Sequence, residues 1–158
     1  MADNEPLAGG AGTQPLRSYQ FALDIQGLEA ACFTACTGIG MSVEALPFQE
    51  AVAKAPVRWL AGKVVYSKAC LRFGVTTSTT LWEWINRIAA GEADPRNVTI
   101  KMYAPDHRTE RVRYDLMRAW PCEWAGAQLD SQGRDVAFEH LKLVYEDLKI
   151  EPQTQGGA

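Results

Sequence analysis

The 158-residue sequence has no stretch rich in lysine or arginine, and no apolar run near the roughly 20 residues that span a bilayer. The first absence excludes a surface that tracks nucleic-acid phosphates, and with it any specificity for nucleic acid. The second predicts that a single copy does not insert into a membrane. Histidine is scarce, with 2 in the chain. His107 lies in a polar turn and His140 in an apolar strand, and neither has a Cys, Ser or carboxylate placed as in a nucleophile or metal pattern. Glu139-His140 comes nearest to an acid–base pair, but neighbours on a strand point to opposite faces. Phosphate-cradling glycine loops and zinc-binding histidine pairs are missing too. These gaps predict a protein with no catalysis, no metal and no cofactor. The 4 cysteines (Cys32, Cys36, Cys70, Cys122) form no CxxC pair and read as small hydrophobes. Met1 to Pro15 is acidic and glycine-rich, without the basic start and apolar centre of a secretory signal. Cytosolic synthesis and assembly are therefore expected.

What the sequence does contain is a soluble-protein balance, 47% apolar and 22% charged, with net charge −3. Its length suits one domain that buries roughly 70% of its unfolded surface. Residues 1–15 and 151–158 are poor in apolar side chains and read as mobile ends around a single domain over 16–150.

Inside that domain period-2 alternation dominates, the mark of strands with one buried face. Tyr19, Phe21, Leu23 and Ile25 form one such run, ended by Gln26-Gly27. Val98, Ile100 and Met102 form another, followed by a polar turn over 104–108. Val112, Tyr114 and Leu116 then complete an antiparallel hairpin. The last strand, about 134–148, has Val136 and Phe138 in one phase but Leu141, Leu143 and Tyr145 in the other. That slip near Glu139-His140 predicts a bulge, or a strand covered on both faces. One helix is expected over about 80–90. Thr80 and Glu83 match a capping box, Leu81, Trp84, Ile85 and Ile88 share a face, and Gly91 supplies the stop.

Residues 38–63 fit none of these patterns. Pro47 and Pro56 limit regular structure, yet the segment carries Met41, Val43, Leu46, Phe48, Val52, Val57, Trp59 and Leu60. A long apolar connection either folds back on its own core or finds a partner, and the residues do not choose.

Several segments read together resemble the inner tube proteins of phage tails and related contractile injection systems. They are Phe21 and Gly27 followed by Phe33-Thr34-Ala35-Cys36-Thr37-Gly38-Ile39, then Leu71-Arg72-Phe73-Gly74-Val75-Thr76 before Leu81-Trp82-Glu83-Trp84. Ala119-Trp120-Pro121-Cys122-Glu123-Trp124 and the closing run Leu141 to Leu148, with Glu146, are similar to two further family segments. The likeness spans residues 17–150. It departs from the family in the long loop, where Glu50 to Pro56 has no glycine pair.

The resemblance implies a mainly β protein, an antiparallel sandwich or partial barrel with one flanking helix and an extended loop at 38–63. Six copies would form a ring through a continuous inter-subunit barrel, and rings would stack into a hollow conduit inside a phage tail or similar particle. Met41, Val43, Leu46, Phe48, Lys54, Val57, Arg58, Trp59 and Leu60 would then meet other copies. Lys101, Arg111, Arg113 and Glu139 would face either the lumen or the outside. Trp82, Trp84, Trp120, Pro121, Trp124 and Glu146 would be structural. Implied partners are further copies, a contractile sheath, baseplate and tube-cap proteins, and protein cargo in the lumen. A tube-initiating ring at the baseplate is the alternative within the family. A monomeric β-barrel binding a small apolar ligand is the alternative outside it.

Overall fold

A computed structural model describes residues 21–28, 33–52, 54–75 and 77–153. Tyr19, Cys32 and the N-terminal 1–15 segment lie outside the described residues. The elements are β1 (Phe21–Ile25), β2 (Phe33–Thr37), β3 (Met41–Phe48), β4 (Arg58–Tyr66), β5 (Ala69–Gly74), α1 (Thr80–Ala89), β6 (Arg96–Tyr103), β7 (Glu110–Ala125), β8 (Phe138–Val144) and β9 (Asp147–Pro152).

The strands form two layers that share β7. One runs β1-β6-β7-β9 and the other β7-β8-β5-β2, with every pairing antiparallel. Inward residues of both layers meet in one core, including Leu23, Val98, Ile100 and Leu116 from the first and Leu71, Phe73, Leu141 and Leu143 from the second. The antiparallel hairpin that the sequence periods predict is present. Val98 lies opposite Leu116, Ile100 opposite Tyr114 and Met102 opposite Val112.

The corner between the layers sits at Arg118, a non-glycine residue with φ of +50°. β8 follows β7 as far as Val144, opposite Trp120, and β9 takes over at Asp147, opposite Met117. The last strand of the sequence reading is thus bent at 145–146. Its register against β5 is unbroken from Ala69 to Gly74, so there is no bulge at Glu139-His140. The irregularity lies in β7, between Pro121 and Glu123. Val136 precedes the strand and is exposed, but Phe138 lies within β8 on the face opposite Leu141 and Leu143, half-buried with the Arg72 guanidinium 4.4 Å over its ring, so the strand is partly covered on both faces. Glu151 and Pro152, read as the start of a mobile tail, are the end of β9, and Gln153 donates its N–H to the Arg111 carbonyl at 2.8 Å.

α1 closes one end of the core through Leu81 and the fully buried Trp84, whose indole N–H donates to the Asp94 carbonyl at 2.9 Å. Its cap is Thr79, where a capping box at Thr80 was expected. The Thr79 hydroxyl donates to the Glu83 carboxylate at 2.7 Å. At the other end Gly91 takes φ of +89°. Its N–H reaches the Ile88 carbonyl at 3.0 Å and that of Glu92 reaches the Arg87 carbonyl at 3.0 Å, a Schellman stop.

Candidate functional site: an exposed ribbon and a charged sheet face

Residues 38–63 are not an irregular loop. Among the described residues β3 and β4 pair with each other and with no other strand, forming a two-stranded ribbon that leaves the body of the fold. Both strands of such a ribbon have a free edge, where a residue without an N–H is tolerated, so Pro47 does not break β3. Pro56 falls in the connection between the strands.

Residues directly opposite across the ribbon share a face. Met41 lies opposite Tyr66, Val43 opposite Val64, Ala45 opposite Ala61 and Pro47 opposite Trp59, so one face is apolar along its whole length. The other face is mixed, with Leu46 opposite Leu60 and Phe48 opposite Arg58. Every residue of β3 is exposed, and Trp59 is 68% exposed. Val57 and Lys54 sit in the connection at the tip, where Lys54 takes φ of +73°. The predicted contact residues are therefore brought together on one projecting element. An isolated two-stranded ribbon is marginal in water, and soluble monomers rarely leave an apolar face of this extent uncovered.

The base of the ribbon is fastened where β8 hands over to β9. The Tyr66 hydroxyl donates to the Asp147 carboxylate at 3.0 Å, and the Tyr145 hydroxyl donates to the Gly40 carbonyl at 3.2 Å. The two rings lie 5.6 Å apart. Ser67 donates its hydroxyl to the Gly38 carbonyl at 2.8 Å. Sequence reasoning missed Tyr66, Tyr145 and Asp147 as a unit, because Tyr66 and Asp147 stand 81 residues apart. Val64 and Val65, also exposed, were missed because the odd segment was closed at residue 63.

The polar face of the β1-β6-β7-β9 layer is the second feature. Ala22, Lys101, Arg113 and Glu151 lie in one row across it, and Asp24, Thr99, Asp115 and Lys149 in the next. Lys101 bonds Asp24 at 3.1 Å and Arg113 bonds Glu110 at 2.7 Å. The Asp24 carboxylate raises the pKa of Lys101, and the Arg113 guanidinium lowers that of Glu110. The Thr99 hydroxyl donates to Asp115 at 2.6 Å. Arg111 stands at the end of β7, where the register shifts. Glu139 is not on this face. It lies on β8 in the phase of Leu141 and Leu143, opposite Phe73.

The tryptophans separate by role. Trp84 fills the core. Trp82 and Trp124 pack edge to face at 4.8 Å, covering the seam between α1 and β7. Pro121 is fully buried, while Trp120 is partly exposed beside Arg118 and Glu146, which pair at 3.0 Å. Cys36, Cys70 and Cys122 are free and half-buried, and burial pushes the Cys36 thiol up to about 11. Between the layers, the edges β2 and β9 leave an open groove of about 850 Å³, lined by Phe21, Phe33, Ile100 and Ile150 among others. Among the described residues no group of His, Cys, Asp and Glu is placed to hold a metal ion, and no helix is long and apolar enough to cross a membrane.

This architecture is similar to that of solved tube-like assemblies. The chain aligns with a protein of the anti-feeding prophage tube-terminating cap with a TM-score of 0.82 at 18% identity, covering 97% of this chain and 100% of that one. A protein of the sheath–tube complex of an extracellular contractile injection system (PVC) gives 0.81 at 19% identity, over 90% and 95%. One from the anti-feeding prophage baseplate gives 0.77 at 20%, over 89% and 97%. No curated protein matches the chain in sequence. The sequence profile of the T4-like virus tail tube protein gp19 matches residues 17–149, nearly the whole domain. The chain therefore belongs to the tail tube protein family.

Proposed function

We propose that the chain is a subunit of the inner tube of a contractile injection system, with six copies closing into a ring and rings stacking into a hollow conduit. The observation that carries this reading is the ribbon, with an apolar face exposed to water from Met41 to Pro47 and from Trp59 to Val64. Laying it against an adjacent ring removes that surface from water. Lys54 and Arg58 flank the contact.

Ring closure uses the free edges of the β1-β6-β7-β9 layer. Because successive pairs are antiparallel, β9 runs opposite to β1. A copy rotated about the tube axis thus presents its β1 to β9 in antiparallel sense, and both edges of this layer are covered. The polar face then looks into the lumen, and the open groove beside β9 and β2 lies at the junction between copies. Six-fold symmetry matches the symmetrised baseplate that contains one of the similar proteins. The same tube contacts a contractile sheath outside, baseplate and cap proteins at its ends, and protein cargo within. The subunit is made in the cytosol, performs no covalent chemistry, and ends up in a phage tail or tail-like particle.

A second reading, an end ring that starts or caps the tube, rests on the equal likeness to cap and tube proteins, 0.82 and 0.81. Electron microscopy of the purified protein separates the two, since a main-tube subunit grows rods of many rings and an end ring stops at one. Trp59→Asp and Phe48→Asp test the ribbon. Rods should disappear while circular dichroism stays unchanged. Rods of normal length from both variants overturn the stacking role.

A further inference from the structure

We infer that the open groove between the layers is the seat of the ribbon, so that Trp59 and the apolar face around it pack into the groove of another copy. This rests on the tube reading above and names the surface on which the ribbon lands.

The groove holds about 850 Å³, and Phe33, Ile100, Met102 and Ile150 are among the side chains that line it. Among the described residues none that lines it is charged. Such a concavity takes apolar side chains and penalises charged ones. Ile150 is 56% exposed, so the lining is not covered by its own copy.

The ribbon's apolar face matches this lining in chemistry. Its paired residues, from Met41 opposite Tyr66 to Pro47 opposite Trp59, include no charge. Arg58 stands opposite Phe48 on the other face, so docking through Trp59 leaves its guanidinium in water.

The two surfaces are also continuous. Met41 lines the groove and begins the ribbon's apolar face, and it is the only residue of β3 or β4 in the lining. The 8 residues of β3, at about 3.3 Å each, span roughly 26 Å from that rim to the far end. Trp59 is at this far end, opposite Pro47, and is not among the residues lining its own copy's groove. A second copy's groove is the matching surface within the same chain.

Ribbon and groove are different surfaces, so the contact is heterologous and repeats head to tail without closing on itself. Ribbon meeting ribbon would be self-complementary and would stop at a pair of rings. The groove as seat therefore accounts for a stack of indefinite length and fixed polarity.

The test places a photoreactive benzophenone side chain at Trp59, which keeps the position aromatic. After irradiation of whatever assembly the full chain forms, the linked peptides are identified by mass spectrometry. Links should join copies and fall on the groove-lining segments 33–39, 100–102 and 148–150. The same side chain at Phe48, on the opposite ribbon face, should link outside them. Rods in which position 59 links elsewhere, or in which position 48 links to the groove, overturn the inference and leave the tube reading standing. Groove links in dimers that never grow into rods uphold the seat and count against the tube. A chain that stays single and forms no links removes both. Ile150→Asp gives a second measurement. Its carboxylate would stand in the groove, so rods should be lost while circular dichroism is unchanged. Rods as long as those of wild type would overturn the inference.

Discussion

The Tyr66 hydroxyl and the Asp147 carboxylate, 3.0 Å apart, join the base of the projecting ribbon to the first residue of β9, an edge strand of the layer proposed to close the ring. One hydrogen bond thus connects the element that meets the next ring with the strand that meets the neighbour. Asp147 also accepts the Leu148 N–H at 2.9 Å, so its position is fixed from both sides.

Removing that hydroxyl separates folding from assembly. Tyr66→Phe keeps the ring against Tyr145 and should leave circular dichroism unchanged. The ribbon loses its set direction, and rods should form more slowly and in lower yield. Light scattering during assembly checks this, and a wild-type rate would show that the bond does not aim the ribbon. The bond to Asp147 also raises the pKa of Tyr66, so its contribution is complete below about pH 10 and is lost as pH rises further.

Gly38 should tolerate no side chain. Its φ is +79°, and a Cβ there would stand 2.4 Å from the Lys68 carbonyl oxygen. The obstacle is backbone and cannot swing aside. Gly38→Ala should cost more than the ~1 kcal/mol of an ordinary left-handed alanine. Chemical denaturation measures the loss, and a change within 0.5 kcal/mol, the usual range for a surface substitution, would contradict the clash.

Trp84 has no exposed surface, and its indole holds the Asp94 carbonyl. Trp84→Ala should destabilise the fold by about 3–5 kcal/mol, the range for deleting a large buried aromatic. Trp82→Ala, on the exposed side of the same helix, should cost clearly less. Paired denaturant titrations decide the ordering.

The turn between β6 and β7 depends on one carboxylate. Asp106 accepts the Thr109 hydroxyl and the N–H groups of Thr109 and Arg108, which lowers its pKa to about 2. A depressed carboxylate stabilises the fold above its unfolded pKa of 3.8 and stops doing so as pH falls through about 2. Wild type should therefore lose stability across that acid window. Asp106→Ala should be less stable near neutral pH and lose less across the same window. Parallel acid dependence in both proteins would remove Asp106 from the account.

Much of the fold is legible in the chain because its signals are local. Period-2 runs place Leu23, Ile100 and Leu116 on buried faces, and a helical stripe with Gly91 after it places α1. The pairing of β6 with β7 follows because one short polar turn separates them. The helix cap lies one residue early because Thr79 and Thr80 are equivalent as capping residues, and only the backbone path selects between them. The ribbon escaped because its prolines forbid an inner strand but not an edge.

The sequence by itself determined the family, the strand periods, the helix and the apolar character of residues 38–63. Those are properties of neighbouring residues and need no long-range contact. Tertiary structure alone decided that this segment stands out as a ribbon, that Glu139 leaves the charged face, and that Tyr66 meets Asp147. The physical reason is that alternation gives a strand two faces without naming either. Only the packing of β7 across its corner at Arg118 assigns one face to the core and the other to solvent.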